Sequence, residues 1–363
     1  MKLRCKREDL VKTLSVATRL VKTRANLPIL SNVMLSTDRN KVKISATDLE
    51  SSVAIYIESQ VSDEGAITIP ARTLLEFVQS SSDEIIDIDS QDQDIRIKGT
   101  HNNATIKGIA ADEFPEISSV IGGKEFEIAS NELKAAILAV APAAAMDETR
   151  PVLAGLYFNG VKSLKIASTD SYRLAEYTLK LDKPVELTAI IPQRTAMELA
   201  RMLPQTDLLT RVCVGENQMQ FQFDNTVFIT RQIDGNFPDY QQIVPKDFVY
   251  EFNVSKEKFN EALRVASVFA RESGNNIKLT GEQSRVMISA VSAQTGDSQA
   301  LVDASTNGVG LEISFNAKFL LDGIASITKE EIKMKFSGPL SPGLLTGEGD
   351  TNFKYIIMPL RNE

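Results

Sequence analysis

The sequence predicts an α+β protein built from three tandem repeats, each with two helices packed on antiparallel sheets. Two observations lead to this fold class. Segments about 122 residues apart align with one another, and this spacing is the size of a domain. Within each aligned segment, helical and strand periodicities follow one another in the same order. The 363 residues of the chain are enough for three such domains.

The repeats are clearest in three stretches that share one pattern. VKISATDLESSVAIYIES aligns with LKIASTDSYRLAEYTLKL and with VMISAVSAQTGDSQALVD, and each stretch begins 122 residues after the one before it. A Phe-Pro pair also occurs twice, in ADEFPEIS and in DGNFPDYQQIVP. The alignment predicts three domains, with bounds at residues 1–121, 122–247 and 248–363.

The first helix of each repeat is predicted from apolar residues with helical spacing. In the first repeat this stripe consists of Leu10, Leu14, Ala17 and Val21. The second repeat opens with Ser130 and the third with Ser255, and serine is favoured at the N-cap of a helix. Each repeat is therefore predicted to begin with an amphipathic helix.

Strands and a second helix are predicted to follow. Segments such as VKIS, AIYIE, IRIKG, MQFQFD and IKMKF alternate apolar and polar residues, as strands with one buried face do. The second helix is predicted to begin at Pro70, Pro192 or Asn316, which are residue types favoured at a cap or in a first turn. Each repeat then holds about six to eight strands.

Composition and charge limit the possible functions. Hydrophobic residues make up 43% and charged residues 24%, which is ordinary for a globular protein. No apolar run reaches the ~20 residues of a membrane span, and MKLRCKREDL indicates a helix start rather than a signal peptide, so we expect a cytoplasmic protein. The net charge of −8 argues against a chain that coats nucleic acid with its whole surface. A basic strip on one face stays possible.

Short motifs along the whole chain resemble the family of the bacterial DNA polymerase III beta subunit, the replicative sliding clamps. These motifs are LPIL, ATDLE, PAR, STDSYRLA, DGNFPDY and MPLR. The resemblance implies three clamp domains in a homodimer that joins head to tail as a six-domain ring around duplex DNA. Such a ring slides without sequence specificity, serves as a processivity factor and has no catalytic activity of its own. The repeats support closure as well, because units joined by a repeated rotation form either a ring or a filament, and only a ring covers the end surfaces.

The resemblance implies that basic side chains on helices face the DNA. These residues are Arg24, Arg72, Arg194 and Arg201. Glu76 and Glu198 follow two of the arginines by four residues and share their helical faces, which predicts weak contact with phosphate and no base reading. Gln193 stands where the family usually has a basic residue.

The resemblance also implies a hydrophobic cleft between the second and third domains. It docks short peptides of the polymerase III alpha subunit, the clamp loader and other replication or repair proteins. The cleft residues are Leu153, Thr169, Ser171, Tyr172, Arg173, Leu174, Pro238, Gln242, Ile243, Asn316, Phe319, Ser341, Pro342, Ile356, Met358, Pro359, Leu360 and Arg361. An apolar, methionine-containing surface with a polar rim suits a peptide of glutamine followed by aliphatic and aromatic residues. Gln242 and the tail Asn362-Glu363 depart from the family pattern.

The two Phe-Pro pairs are expected to differ in role. Phe114-Pro115 is explained by structure alone, as an aromatic anchor at the end of a strand, whereas Pro238 belongs to the cleft. The dimer seam is implied to join Ile106 and Leu75 or Val78 of one chain to Val268 and Phe269 of the other. Apolar residues at these positions are equally consistent with domain core.

Catalysis is the main alternative class, and the residues argue against it. In SSDEIIDIDSQDQD the carboxylates alternate along a strand and turn, whereas a metal site needs them to converge. His101 is the only histidine and no phosphate-binding GxxxxGK[ST] motif occurs, so neither a His-based triad nor nucleotide hydrolysis is supported. We expect no cofactor and no metal. A repeat-built interaction scaffold that does not encircle DNA remains an alternative.

Overall fold

The computed structural model describes residues 1–21, 27–91, 93–147 and 149–361. Two helices fall in each predicted repeat. They are α1 (Arg7–Ala17), α2 (Ala71–Ser80), α3 (Ser130–Val140), α4 (Gln193–Met202), α5 (Lys256–Ala270) and α6 (Ala317–Ser326). None of the helices in these ranges is long and apolar enough to cross a membrane.

The strands follow the order that the periodicity predicts. The first repeat contains β1 (Lys2–Lys6), β2 (Asn32–Asp38), β3 (Lys41–Thr47), β4 (Ser51–Glu58), β5 (Gln60–Asp63), β6 (Ala66–Pro70), β7 (Ile85–Gln91), β8 (Asp94–Lys98) and β9 (Asn103–Lys107). The second contains β10 (Lys124–Ala129), β11 (Gly155–Gly160), β12 (Ser163–Thr169), β13 (Arg173–Lys180), β14 (Leu187–Pro192), β15 (Leu209–Val214), β16 (Gln218–Phe223) and β17 (Thr226–Arg231). The third contains β18 (Tyr250–Ser255), β19 (Asn276–Gly281), β20 (Arg285–Ser292), β21 (Gly296–Asn307), β22 (Glu312–Asn316), β23 (Glu331–Phe336), β24 (Gly343–Gly347) and β25 (Phe353–Ile357).

The first repeat has one strand more than the range predicted from periodicity. The extra strand arises because the chain changes sheets at Ser59: β4 pairs with β3, whereas β5 pairs with β1 in a different sheet. The alternation of apolar and polar residues continues through such a change of sheet, so the sequence predicts one strand where the structure has two.

Antiparallel strands form three sheets in the described residues. Their orders are β5-β1-β7-β8-β9, then β10-β15-β16-β17-β4-β3-β2-β6, and β14-β11-β12-β13-β25-β24-β23-β18-β21-β20-β19-β22. In the second sheet β17 of one repeat pairs with β4 of another, and in the third sheet β13 pairs with β25 in the same way. The two larger sheets therefore continue from one repeat to the next.

Contacts divide the chain into two units that do not follow the repeats. One comprises residues 1–131 and 201–232, and the other residues 132–200 and 233–363. The first contains the five- and eight-stranded sheets, and the second contains the 12-stranded sheet. This division reflects the strand pairing, because half of the second repeat shares a sheet with each neighbour. The domain bounds inferred from the repeats stay a prediction.

Helix packing agrees with the apolar stripes. Leu10, Leu14 and Ala17 of α1 are fully buried, and α1 packs against α2, β3 and β4. In the other unit, α5 packs against α6, β20 and β21. Burial of such stripes is the main stabilising contribution in helices of this length.

Four of the five predicted helix starts are correct, since α4 also begins directly after Pro192 and Ser255 is the N-cap of α5, and only Ser130 is displaced. Pro70 is the N-cap of α2, and the side chain of Asn316 caps α6 by accepting from the backbone N–H of Lys318 at 3.0 Å. Ser130 is instead the first residue of α3, and its hydroxyl donates to the carbonyl of Leu208 because the pairing of β10 with β15 brings that chain alongside. Ser255 occupies an N-cap position without a side-chain cap.

Candidate functional site

The 12-stranded sheet supplies the floor of the predicted cleft. The register of β13 and β25 places Leu174 opposite Ile356, and both side chains are buried. Beyond β25 the chain continues alongside β13, because the backbone N–H of Met358 donates to the carbonyl of Tyr172 at 2.8 Å. The C-terminal motif and the STDSYRLA motif, far apart in sequence, therefore meet side by side.

Residues 234–245, which we call the docking loop, form one wall of the cleft. Phe237 stacks on Tyr157 with ring centroids 4.7 Å apart, and Tyr240 packs edge-on against Phe237 at 6.0 Å. Tyr240 joins the buried apolar cluster that contains the floor residues. Pro238 and Ile243 stay exposed. The loop thus turns its aromatic rings inward and its predicted cleft residues outward.

Helix α6 lies beside the turn that begins β13, where its first turn contacts Tyr172 and Arg173. Phe319 lies half-buried on its first turn, and its ring centroid is 6.4 Å from that of the exposed Tyr172. The guanidinium carbon of Arg173 lies 4.2 Å from the centroid of the Phe319 ring, within the range of a cation–π contact. The hydroxyl of Tyr355 donates to the backbone carbonyl of Phe319 at 2.8 Å and fixes this turn of the helix.

Arg173, one of the predicted cleft residues, is buried and paired with two carboxylates. Its side chain is 5% exposed, and its Nε and Nη1 atoms lie 2.9 Å and 2.5 Å from carboxylate oxygens of Asp170 and Asp322. Burial alone lowers the pKa of Arg173, but Tyr355 and the two carboxylates outweigh burial and raise it. The charge is therefore held inward, where a ligand in the cleft cannot pair with it.

The other predicted cleft residues fall into groups by exposure. Those at the surface are Ser171, Tyr172, Pro238, Gln242, Ile243 and Arg361. Those half-buried are Leu153, Asn316, Phe319, Ser341, Pro342, Met358, Pro359 and Leu360. Those buried are Thr169, Arg173, Leu174 and Ile356. The sequence analysis assigned no role to four residues whose partners are distant along the chain, namely Tyr157, Glu176, Tyr240 and Asp322.

The first repeat contains a counterpart of the turn that begins β13. The Asp48 carboxylate accepts from the backbone N–H of Ser51 at 2.8 Å, as the Asp170 carboxylate accepts from that of Arg173 at 3.0 Å. The next residue has a positive φ in both turns, 74° at Leu49 and 81° at Ser171. Both turns therefore have the same backbone design.

A small pocket of ≈ 210 Å³ lies at the first turn, but its side chains differ. By strand register, Glu50 stands in place of Tyr172, and Arg231 in place of Met358. Phe114 is 7% exposed and packs against Ile29 and Leu30, in agreement with its predicted structural role. The apolar cleft is thus particular to the second Phe-Pro pair.

Three of the predicted DNA-facing arginines are exposed. Arg72 lies on α2, and Arg194 and Arg201 lie on α4. Arg24 lies outside the described residues. Glu76 is also exposed, and Glu198 is half-buried, so acidic groups accompany the arginines as the helical spacing predicts. That these arginines bind DNA stays a prediction.

The predicted seam residues differ in the surface they offer. Val268 is 57% exposed, and Phe269 and Leu75 are half-buried. Ile106 is nearly buried on β9, the edge strand of the five-stranded sheet. Val78 is fully buried on the inner face of α2, so it has no surface to present to a second chain, and we remove it from the predicted contacts.

The acidic stretch takes part in strand pairing. Asp87 pairs with Arg4 at 2.7 Å, and Asp89 lies 4.0 Å from Lys2, across β7 and β1. Both cysteines, Cys5 and Cys213, are buried, and burial raises the pKa of Cys5 to about 12. Within residues 1–21, 27–91, 93–147 and 149–361, no group of three or more His, Cys, Asp or Glu side chains could hold a metal ion.

Comparison with known proteins gives matches over the whole chain. Family models for the N-terminal, central and C-terminal domains of the DNA polymerase III beta subunit match residues 1–118, 127–239 and 241–361. The beta sliding clamp of Haemophilus influenzae is 28% identical over 366 residues, which cover 99% of this chain and 100% of the relative. That of Caulobacter vibrioides is 29% identical over 373 residues, with coverage of 99% and 100%.

Solved structures agree with these relatives. The DNA polymerase sliding clamp from Bacillus subtilis superposes with a TM-score of 0.96 at 28% identity, and the match covers 100% of both chains. The DNA polymerase III subunit beta from Pseudomonas aeruginosa gives a TM-score of 0.95 at 27% identity, also over 100% of both chains.

The role of Asp322 beneath the cleft can be tested by unfolding. Asp322→Ala leaves the buried Arg173 with one carboxylate fewer, so we expect the free energy of unfolding to fall by about 1–3 kcal/mol. Urea denaturation followed by circular dichroism measures this change. Asp303→Ala, at an exposed position on β21, serves as the matched control and should be nearly neutral. Equal stability of both variants would contradict a structural role for the Arg173–Asp322 pair.

Proposed function

The chain belongs to the DNA polymerase III beta subunit family, and from this premise we propose that it is the processivity factor of a bacterial replicative DNA polymerase. The observation that carries the proposal is the match of three domain models, in order, over nearly the whole chain. The sheets and helices also superpose on solved sliding clamps over their full length. In this role the chain is an accessory subunit of the polymerase without catalysis of its own, acting on the nucleoid in the cytoplasm at replication forks.

The proposed mechanism is topological. Two copies join head to tail into a six-domain ring around duplex DNA, so the DNA is retained by enclosure rather than by affinity. Weak contact is then an advantage, because tight phosphate contacts would hinder sliding. Exposed Arg72 with Glu76 one turn later on α2 fits such a surface, and the net charge of −8 disfavours adhesion elsewhere.

Ring closure is proposed to use apolar side chains near the end of α5. The exposed Val268 and half-buried Phe269 of one chain meet Leu75 and Ile106 of the other. Exposing the apolar surface of a valine and a neighbouring phenylalanine to water is unfavourable, so a second chain that covers this surface is stabilised by its burial. The position of Ile106 on an edge strand supports this seam.

The cleft is proposed as the docking site for partners. Short peptides of the polymerase III alpha subunit, the clamp loader and other replication or repair proteins bind there one at a time. The support lies in its construction: buried Leu174 and Ile356 form a firm floor, and half-buried Met358 adapts to different side chains. Exposed Gln242 and Arg361 offer polar groups at the rim.

DNA retention should depend on topology. Protein loaded on nicked circular DNA is expected to survive high salt and to be lost within the time of a restriction digest that opens the circle. Gel filtration of labelled protein with DNA measures retention before and after cleavage. Equal loss from circular and linear DNA would favour a scaffold that does not encircle DNA.

The salt dependence of direct binding tests the arginines separately. Neutralising Arg24 and Arg72 together should lower the log–log salt slope by about one for each arginine that binds a phosphate. Fluorescence anisotropy of a labelled duplex over a series of salt concentrations measures this slope. Arg211→Gln on β15 is the matched control and should leave the slope unchanged. The same slope in all three proteins would contradict a DNA-facing position for Arg24 and Arg72.

The seam can be tested by placing a charge in it. Phe269→Asp buries an unpaired carboxylate in an apolar contact, so we expect dimerisation to weaken by about 3 kcal/mol or more. Sedimentation velocity at micromolar concentration measures the dimer fraction. Val161→Asp, in the exposed turn between β11 and β12, is the matched control and should remain dimeric. A folded Phe269→Asp protein that stays fully dimeric would remove Phe269 from the seam.

The cleft can be tested by removing its adaptable side chain. Met358→Ala should weaken binding of the peptide Gln-Leu-Ser-Leu-Phe by about 1–3 kcal/mol while the protein remains dimeric, because an apolar anchor loses its pocket. Calorimetric titration measures the affinity. Met287→Ala, at a half-buried position on β20, controls for loss of a methionine elsewhere in the same sheet. Absence of binding to the unmodified chain, or equal binding by it and Met358→Ala, would reject the docking site.

A further inference from the structure

Glu176 of β13 is a buried carboxylate with an unusually complete set of partners. Its side chain is 4% exposed. Its Oε2 atom accepts from the Tyr240 hydroxyl at 2.7 Å and from the Gln241 side-chain amide at 2.9 Å. The Nζ atoms of Lys165 and Lys354 lie 3.4 Å and 3.9 Å from the carboxylate. A charge buried this deeply is tolerated only when such partners replace water.

Comparison of the repeats indicates that the fold does not require this carboxylate. The equivalent residue in the first repeat is Ala54, which is also buried. The equivalent of Tyr240, counted from the two Phe-Pro pairs, is Ile117. The carboxylate and the phenol therefore occur together at the joint with the predicted cleft. At the joint between the first and second repeats, apolar residues replace both.

Tyr240 connects Glu176 to the docking loop. The tyrosine begins a 3₁₀ turn over Tyr240–Ile243, and its ring packs in the cluster that contains floor residues Leu174 and Ile356. The exposed Pro238 and Ile243 flank it in sequence. The bond to Glu176 thus fixes the buried centre of a segment whose two flanks are exposed.

The protonation states agree with this bond. Burial alone raises the pKa of Glu176, but hydrogen bonds from Tyr240 and Gln241 and the charges of the two lysines outweigh burial and lower it. Burial and the adjacent Glu176 charge raise the pKa of Tyr240. The phenol is therefore the donor and the carboxylate the charged acceptor, which is the stronger form of hydrogen bond.

We propose that Glu176 is a positioning residue of the cleft: through Tyr240 and Gln241 it holds the docking loop in the conformation that presents Pro238 and Ile243 to a peptide. This inference rests on the proposed docking function. The contribution is preorganisation, since a loop already held in its bound conformation loses less conformational freedom when the peptide binds.

The experiment compares Glu176→Ala, Glu176→Gln and Tyr240→Phe with the unmodified full-length chain. Hydrogen exchange of the backbone amides of residues 239–244 is measured without peptide, and calorimetry then measures affinity for Gln-Leu-Ser-Leu-Phe. Glu176→Ala should speed exchange in the loop and weaken the peptide between about threefold and thirtyfold. Glu176→Gln can still accept from Tyr240 and should recover most of the affinity. Glu251→Ala on β18 is the matched control, because it removes a carboxylate that pairs with Lys333 and Lys335 of β23 in the same sheet.

A double variant separates loss of the Glu176–Tyr240 hydrogen bond from a general loss of stability. If Glu176 acts through the phenol, Glu176→Ala combined with Tyr240→Phe should weaken the peptide by less than the product of the two single effects. Unchanged loop exchange in Glu176→Ala overturns the inference, as does faster exchange with unchanged affinity. If the unmodified chain fails to bind the peptide, the docking function itself is rejected, and loop exchange still shows whether Glu176 holds the loop.

Discussion

The antiparallel pairing of strands from successive repeats is the constraint on which the rest of the structure depends. β17 pairs with β4, and β13 pairs with β25, so each joint places the turn before one strand beside the end of another. The same backbone bond marks both joints: the N–H of Arg231 donates to the carbonyl of Glu50, and that of Met358 to that of Tyr172, each at 2.8 Å. A concave site at a joint is therefore a consequence of repetition, before any side chain is chosen.

Side chains then decide the chemical character of each joint. Glu50 and Arg231 place charges at the first joint, where Tyr172 and Met358 provide apolar surface at the second. The two Phe-Pro pairs follow the same division. Phe114 packs in a buried core cluster, whereas Phe237 anchors the docking loop by stacking on Tyr157. The same backbone arrangement thus carries charged side chains at the joint of β17 with β4 and apolar side chains at the joint of β13 with β25.

The sequence was sufficient for the features that repeat or alternate, and insufficient for those that depend on a distant partner. The buried stripe of α1 and the cap at Asn316 follow from local spacing. Arg173 in a polar motif resembles a surface residue, and only contact with Asp322, 149 positions away, shows that it is buried and paired. The sequence could not decide between Leu75 and the buried Val78 for a related reason, since an apolar residue on a helix has the same pattern whether it faces the core or another chain. The sheet change that creates β5 leaves no mark in the alternation.

One strand, β13, orients both α6 and the docking loop through buried charges on its two faces. Side chains alternate along a strand, so Arg173 and Glu176, three residues apart, point to opposite faces. Arg173 engages α6 through Asp322 and Phe319, and Glu176 engages the docking loop through Tyr240. Apolar contacts alone would hold α6 and the docking loop against β13 without fixing their orientation, because the hydrophobic effect has no direction. Charge-assisted hydrogen bonds do have direction, so they can keep the apolar surface between them in a single shape.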